Sequence, residues 1–213
     1  MQELDEVLVM IDLEYLGKDE PNAQILDIGI CYGTSPENLQ RVSYKPAWQS
    51  DGVVQPSTLK FWAELNAVKL ASYMDNKQPI RWVTEDLHEE LIAISGFAKD
   101  LGKPVVFMSK GITHDLPKLE HHLDKVFPGL ANNGMGVFES LFGYNCRRDM
   151  RSFKMYRSEK DLKEAKTYGE TQATILCKGE TLHDAEWDAV SQWHEVYCLA
   201  LGPRAIDSTT CTV

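Results

Sequence analysis

The 213-residue sequence has no apolar run able to cross a bilayer. Its longest near the N-terminus, Val7 to Ile11, falls far short of the roughly 20 residues required. The first six residues carry three acids and neither Lys nor Arg, so the sequence reads without a signal-peptide n-region. Positive charge is also scarce: 22 Lys and Arg stand against 32 Asp and Glu, a formal net charge of −10. That balance argues against tight binding along a nucleic-acid duplex, which needs many phosphate contacts. It leaves room for a small site that handles a chain end through cations held on clustered carboxylates. With 14 Gly and 9 Pro, the chain is neither fibrous nor of low complexity. Cysteine is sparse and unpaired: Cys31, Cys146, Cys177, Cys198 and Cys211 are odd in number and form no C-x-x-C. They predict free thiols in a reducing, cytosolic compartment, not a disulfide framework or a zinc site. The nucleophile elbow, the P-loop, H-E-x-x-H and the dinucleotide fingerprint are all absent. His121 and His122 lack partner cysteines and read as surface residues of a helix.

What is present is ordinary for a globular protein, with 43% hydrophobic and 25% charged residues. A chain of this length buries roughly 70% of its unfolded surface and needs no metal or disulfide to fold. We read residues 1–213 as one domain. Val7 to Glu14 is apolar on both faces up to its acids, the pattern of a central strand covered on both sides. Ala23 to Tyr32 predicts a second strand, with Ile28, Ile30 and Tyr32 on one face, and Leu39 to Tyr44 a third. A helix capped by Ser57 or Thr58 runs to about Tyr73, and Thr84-Glu85-Asp86 opens another. Pro104 to Met108 reads as a short buried strand, then Asp115 to Leu123 and Leu182 to Leu201 as helices. Residues 128–180 are the least regular. Strands first, then helices with a strand between them, predict a mixed α/β architecture.

Three clusters carry chemistry. In Asp12-Leu13-Glu14 both acids lie on one face of the strand's carboxyl end, because strand side chains alternate. Carboxylates so close repel unless a cation or proton lies between them, and such oxygen clusters suit Mg²⁺ or Mn²⁺. A strand end turning into solvent has the same pattern. In the second cluster, Thr181 and Asp184 resemble a capping box that places His183 in a helix's first turn. His183 and Asp188 would then stand about 140° apart around the helix. That favours Asp188 on a metal and His183 overhanging the substrate as a base. In the third, Gly111 to Leu119 follows a buried strand, where open α/β sheets place ligand crevices. There Asp115 serves equally well as helix N-cap or as metal ligand. Asn145 to Lys166 holds eight Lys and Arg against four acids, suited either to phosphates or to a salt-bridged helix face. Phe61 and Trp62 could stack on a base or fill the core.

Together these clusters resemble the DEDDh family of 3′→5′ exonucleases, whose fold is ribonuclease-H-like. Asp12-Leu13-Glu14 matches the first family motif, and Gly17 with Ala23, Ile25, Ile28 and Gly29 matches the strand after it. GITHDL, with Asp115, matches the second motif, and His183…Asp188 the third. Thr58 to Trp62 and Arg148 to Ser152 further resemble the T-x-x-W-W and R-D-x-R-T segments of small phage and bacterial members. Tyr15, where Thr is common, and His114, where Phe is usual, depart from the pattern at the nucleotide pocket.

The resemblance implies an α/β, ribonuclease-H-like domain and two-metal phosphodiester hydrolysis with Mg²⁺ or Mn²⁺. It implies that Asp12 bridges both ions, that Glu14 and Asp188 complete the water-activating site, and that Asp115 holds the second ion. It makes His183 the general base, with Leu16, Trp62, Arg148 and Arg151 toward the substrate. The implied partner is the 3′ end of single-stranded DNA or RNA, with no membrane, in the cytoplasm of a bacterial or phage-infected cell. The oligomeric state stays open, a homodimer included. A catalytically inactive binding or regulatory protein on the same fold is disfavoured, because no ligand position is substituted. A hydrolase of short oligonucleotides would share the same site.

Overall fold

The computed structural model describes residues 2–131 and 134–202. Cys211 lies outside them; the other four cysteines are free and buried. Five strands form one mixed sheet in the order β3-β2-β1-β4-β5. They are β1 (Val7–Tyr15), β2 (Ile25–Gly33), β3 (Gln40–Tyr44), β4 (Val105–Ser109) and β5 (Arg147–Asp149). β2 runs antiparallel to both β1 and β3, whereas β4 is parallel to β1 and to β5. Among the described residues, no helix is long and apolar enough to cross a membrane.

The alternation along β1 divides the core into two layers. Val7, Val9, Ile11 and Leu13 join Val83, Leu87, Leu91 and Ile94 of α2 (Ile80–Leu101) and Leu116, Leu119 and Leu123 of α3 (Ile112–Val126). Leu8 and Met10 point the other way, into Val190, Trp193, Val196 and Tyr197 of α7 (Ala185–Leu201). The next residues on that face are Asp12 and Glu14, so the apolar layer ends where the acids begin.

α7 is buried along nearly its whole length, because α6 (Glu159–Leu176) covers the side turned away from the sheet. Two glycines allow these approaches. A Cβ on Gly169 would lie 2.2 Å from the Ser191 carbonyl oxygen, and one on Gly29 would lie 2.0 Å from that of Ala185. The remaining helices are α1 (Pro56–Met74), α4 (Val137–Phe142) and α5 (Met150–Lys154).

Several helix starts differ from their sequence signals. α1 begins at Pro56 with Gln55 as N-cap, so Ser57 and Thr58 sit in its first turn. The Thr58 hydroxyl donates to the carbonyls of Gln55 and Leu16. α2 begins at Ile80, before Thr84, whose hydroxyl donates back to the Ile80 carbonyl at 2.8 Å. In both cases a Thr hydroxyl finds a carbonyl instead of capping N–H groups. Gly111, not Asp115, is the N-cap of α3. The stretch 128–180 supplies β5, α4, α5 and α6; the three residues of β5 are too few to carry a strand periodicity.

Candidate active site

Asp12, Glu14, Asp115, His183 and Asp188 all line one cleft of about 420 Å³, with Tyr15, Lys18, Phe61, Lys110, His114, Arg151 and Gln192 among its other walls. Four elements build it. β1 brings Asp12 and Glu14 up from the core. α7 lies across that face and brings Asp188 and, one turn later, Gln192, whose amide donates to Asp12 Oδ1 at 2.7 Å. Asp115 comes from the start of α3, directly after β4. His183 comes from the loop that enters α7.

His183 is not in the first turn of α7. The helix begins at Ala185 with Asp184 as N-cap, and the Thr181–Asp184 pair closes a turn instead. The Asp184 N–H donates to the Thr181 carbonyl at 2.9 Å, and Asp184 Oδ2 accepts the Thr181 N–H at 2.8 Å. Half of the expected capping box therefore forms, but around a left-handed residue: His183 has φ 68°. The helical spacing of His183 and Asp188 does not apply. Instead, the His183 backbone N–H donates to Asp188 Oδ2 at 2.7 Å, and its Nδ1 lies 3.9 Å from Glu14 Oε1. Donor atoms of Glu14, His183 and Asp188 lie within 4.8 Å of one another.

The electrostatics are those of crowded acids. Burial, then the charges of Asp188 and Asp115, pushes the Asp12 carboxyl well above the usual range. Glu14 is raised by burial, then by Asp12, Asp188 and Asp27. Asp188 is raised by burial, against the His183 N–H that favours its charged form. Burial lifts Asp115 to about 7, opposed by the Ser109 hydroxyl and by the charges of Lys118 and Arg151. Four carboxylates that resist ionising side by side offer the oxygen chemistry a hard divalent cation takes, and those of Glu14 and Asp188, with the His183 ring, are the ones already within reach of a single ion. The residues present fit such an ion.

Three of the four residues expected at the substrate lie elsewhere. Leu16 is fully buried and Trp62 is 2% exposed, both in a small cluster with Leu26, Leu70 and Tyr73. Trp62 lies behind the cleft, its ring edge-on to His183 at 6.1 Å. Its neighbour Phe61 is 51% exposed and lines the cleft, because a helix points consecutive side chains about 100° apart. Arg148 pairs with Glu6 at 2.5 Å instead of facing the acids. Much of the basic segment is likewise neutralised: Arg147 by Glu120 and Glu139, Lys154 by Glu195, Lys160 by Glu164 and Lys166 by Glu170. Arg151, held in α5 after the Asp149 N-cap, faces the cleft.

Sequence reasoning missed Gln192, Lys110 and Asp27. Gln192 was findable, since it lies four residues after Asp188 on the same helix face. Asp27 sits opposite Glu14 in the β1–β2 register, 1% exposed and lifted to about 6 by burial. Its Oδ2 accepts the Ala185 N–H at 3.3 Å, tying β2 to the first turn of α7.

A mixed five-stranded sheet with β1 antiparallel to β2 and parallel to β4 is the ribonuclease-H-like architecture. The same fold occurs in Escherichia coli exonuclease I solved with single-stranded DNA, at 11% identity and a TM-score of 0.54 over 95% of this chain. It occurs in exonuclease I from Methylocaldum szegediense, at 14% identity and a TM-score of 0.54 over 96% of this chain. The chain spans 41% of the length of each of these two. The Mg²⁺- and Mn²⁺-bound Pop2p of Schizosaccharomyces pombe aligns at 12% identity and a TM-score of 0.53, over 96% of this chain and 86% of that one. No curated protein matches in sequence. The chain belongs to the Rv2179c-like 3′-5′ exoribonuclease domain family, whose profile matches residues 7–199.

Proposed function

We propose that this chain is a divalent-cation-dependent 3′→5′ exonuclease that removes nucleotides from the 3′ end of single-stranded RNA. The observation that carries the reading is the convergence of four carboxylates and one histidine in a single cleft. Family membership supports the polarity and favours RNA. Divalent cations held by Asp12, Glu14, Asp115 and Asp188 would supply the positive charge that stabilises the developing anions of phosphodiester hydrolysis. The residues around them have distinct tasks. His183 takes the proton of the attacking water at a ring nitrogen. Arg151 and Lys110 offer donors to phosphate oxygens. Phe61, half-exposed at the mouth, offers a face to the terminal base, which must be unpaired to reach it. A net charge of −10 adds to the preference for an end over a duplex, since an end needs few phosphate contacts.

The test uses 5′-labelled single-stranded RNA and DNA, each with a free or a blocked 3′ end, with and without Mg²⁺. We expect a stepwise ladder from the free end only, only with the cation, and faster on RNA. Cleavage of the blocked strand at the same rate, or internal fragments from a circular single strand, would show an endonuclease. His183→Ala should lower turnover by roughly 10²-fold, the scale of a lost general base. Cation binding, followed by calorimetry, should be kept; its loss would make His183 a ligand instead.

A further inference from the structure

We infer that α1 is the clamp of the histidine loop and that Tyr73 is the positioning residue for His183; the inference rests on the role proposed for His183 above. A left-handed backbone is uncommon for any residue but glycine, and it persists only where its surroundings over-determine it. At His183 (φ 68°) both backbone polar groups are held. The N–H donates to Asp188 Oδ2, and the carbonyl accepts the Tyr73 hydroxyl at 3.1 Å. Tyr73 is 4% exposed. Its single proton has a second acceptor, Asp27 Oδ2, farther away at 3.4 Å.

The neighbouring loop residues are held from the same helix. Lys69 Nζ donates to the Leu182 carbonyl at 3.4 Å and pairs with Asp184 at 2.9 Å, in a largely buried ion pair. The Trp62 ring stands edge-on to both Tyr73 and His183. Three side chains of α1 thus engage three successive residues, Leu182, His183 and Asp184. None of Trp62, Lys69 and Tyr73 lines the cleft. Their shared effect is to aim the imidazole at the acids.

The test compares Tyr73→Phe in the wild-type and His183→Ala backgrounds, under single-turnover conditions on 5′-labelled RNA. Tyr73→Phe should lower kcat about tenfold, the scale of one hydrogen bond. KM and the midpoint of the Mg²⁺ titration should stay within about twofold. In the His183→Ala background the same substitution should have almost no effect, because the group it positions is gone. Amide exchange gives a readout independent of activity: residues 181–185 should exchange faster in Tyr73→Phe while α1 and β2 are unchanged. A full tenfold loss carried into the His183→Ala background would show that Tyr73 merely supports the fold, as would faster exchange spread through α1 and β2. No loss in the wild-type background would also overturn the inference. If His183→Ala itself turns over at the wild-type rate, the role of His183 fails, and the exchange pattern alone decides whether the clamp exists.

Discussion

Asp12→Asn should abolish hydrolysis and raise the melting temperature of the metal-free protein. Both effects have one cause. Asp12 sits among Glu14, Asp115 and Asp188, and all four carboxyls are pushed up by burial. An amide lacks the charge that holds a divalent cation, so turnover falls to background. It also relieves repulsion that the folded protein otherwise bears, and Asn still offers an oxygen to the Gln192 amide. In a protein of this size each kcal/mol relieved shifts the melting temperature by roughly 2–4 °C. The wild-type melting curve carries the same signature in its pH dependence. A carboxyl whose folded pKa exceeds its unfolded value holds its proton more tightly when folded. Its contribution is therefore complete below the unfolded pKa and is lost as pH rises to the folded one. With Asp115 at about 7 against an ordinary 3.8, metal-free wild type should lose stability between about pH 4 and pH 7. Mg²⁺ should restore it at pH 7, but far less in Asp12→Asn. Activity assays and thermal melts at pH 5 and pH 7, with and without Mg²⁺, read all of this. Turnover of Asp12→Asn near the wild-type rate would sink the metal assignment.

Gly29→Ala should disable the enzyme without touching a functional side chain. Gly29 pairs with Asp12 across β1 and β2, and the first turn of α7 lies directly on it. An added Cβ would stand 2.0 Å from the Ala185 carbonyl oxygen and 2.4 Å from the Glu186 nitrogen, backbone atoms that cannot swing aside. Either α7 lifts or the sheet gives way. Overpacking of this kind costs about 1–3 kcal/mol. The greater damage is to geometry, since lifting α7 carries Asp188 and His183 away from Asp12 and Glu14. A displacement of about 1 Å can cost about 10²-fold in rate. We expect at least that loss, with a lowered melting temperature and weakened Mg²⁺ binding by calorimetry. Wild-type kinetics in this variant would show that α7 seats itself without the close approach.

Some of this was legible in the amino-acid order alone, because it depends only on local rules. Alternation along Val7 to Glu14 placed Asp12 and Glu14 on one face, and the apolar run before them marked a central strand. The resemblance of the ordered acidic motifs to the DEDDh family, and not the local rules, implied the class of chemistry and the five residues that share the cleft. Other features depended on what each residue meets in three dimensions. Trp62 and Phe61 are adjacent and similar in chemistry, and only the packing of α1 on Leu16 and Leu26 buries one and turns the other to the cleft. Thr181 to Asp184 has the composition of a helix start, yet Asp188 and Tyr73 hold His183 in a left-handed turn, so the helix begins at Ala185. The basic segment is a phosphate-binding candidate in one dimension. Tertiary structure brings Glu6, Glu120, Glu139 and Glu195 to Arg147, Arg148 and Lys154 and leaves Arg151 facing the acids. Spacing along a chain reports which side chains share a face; which of those faces meet is decided by the close packing of helices on the sheet.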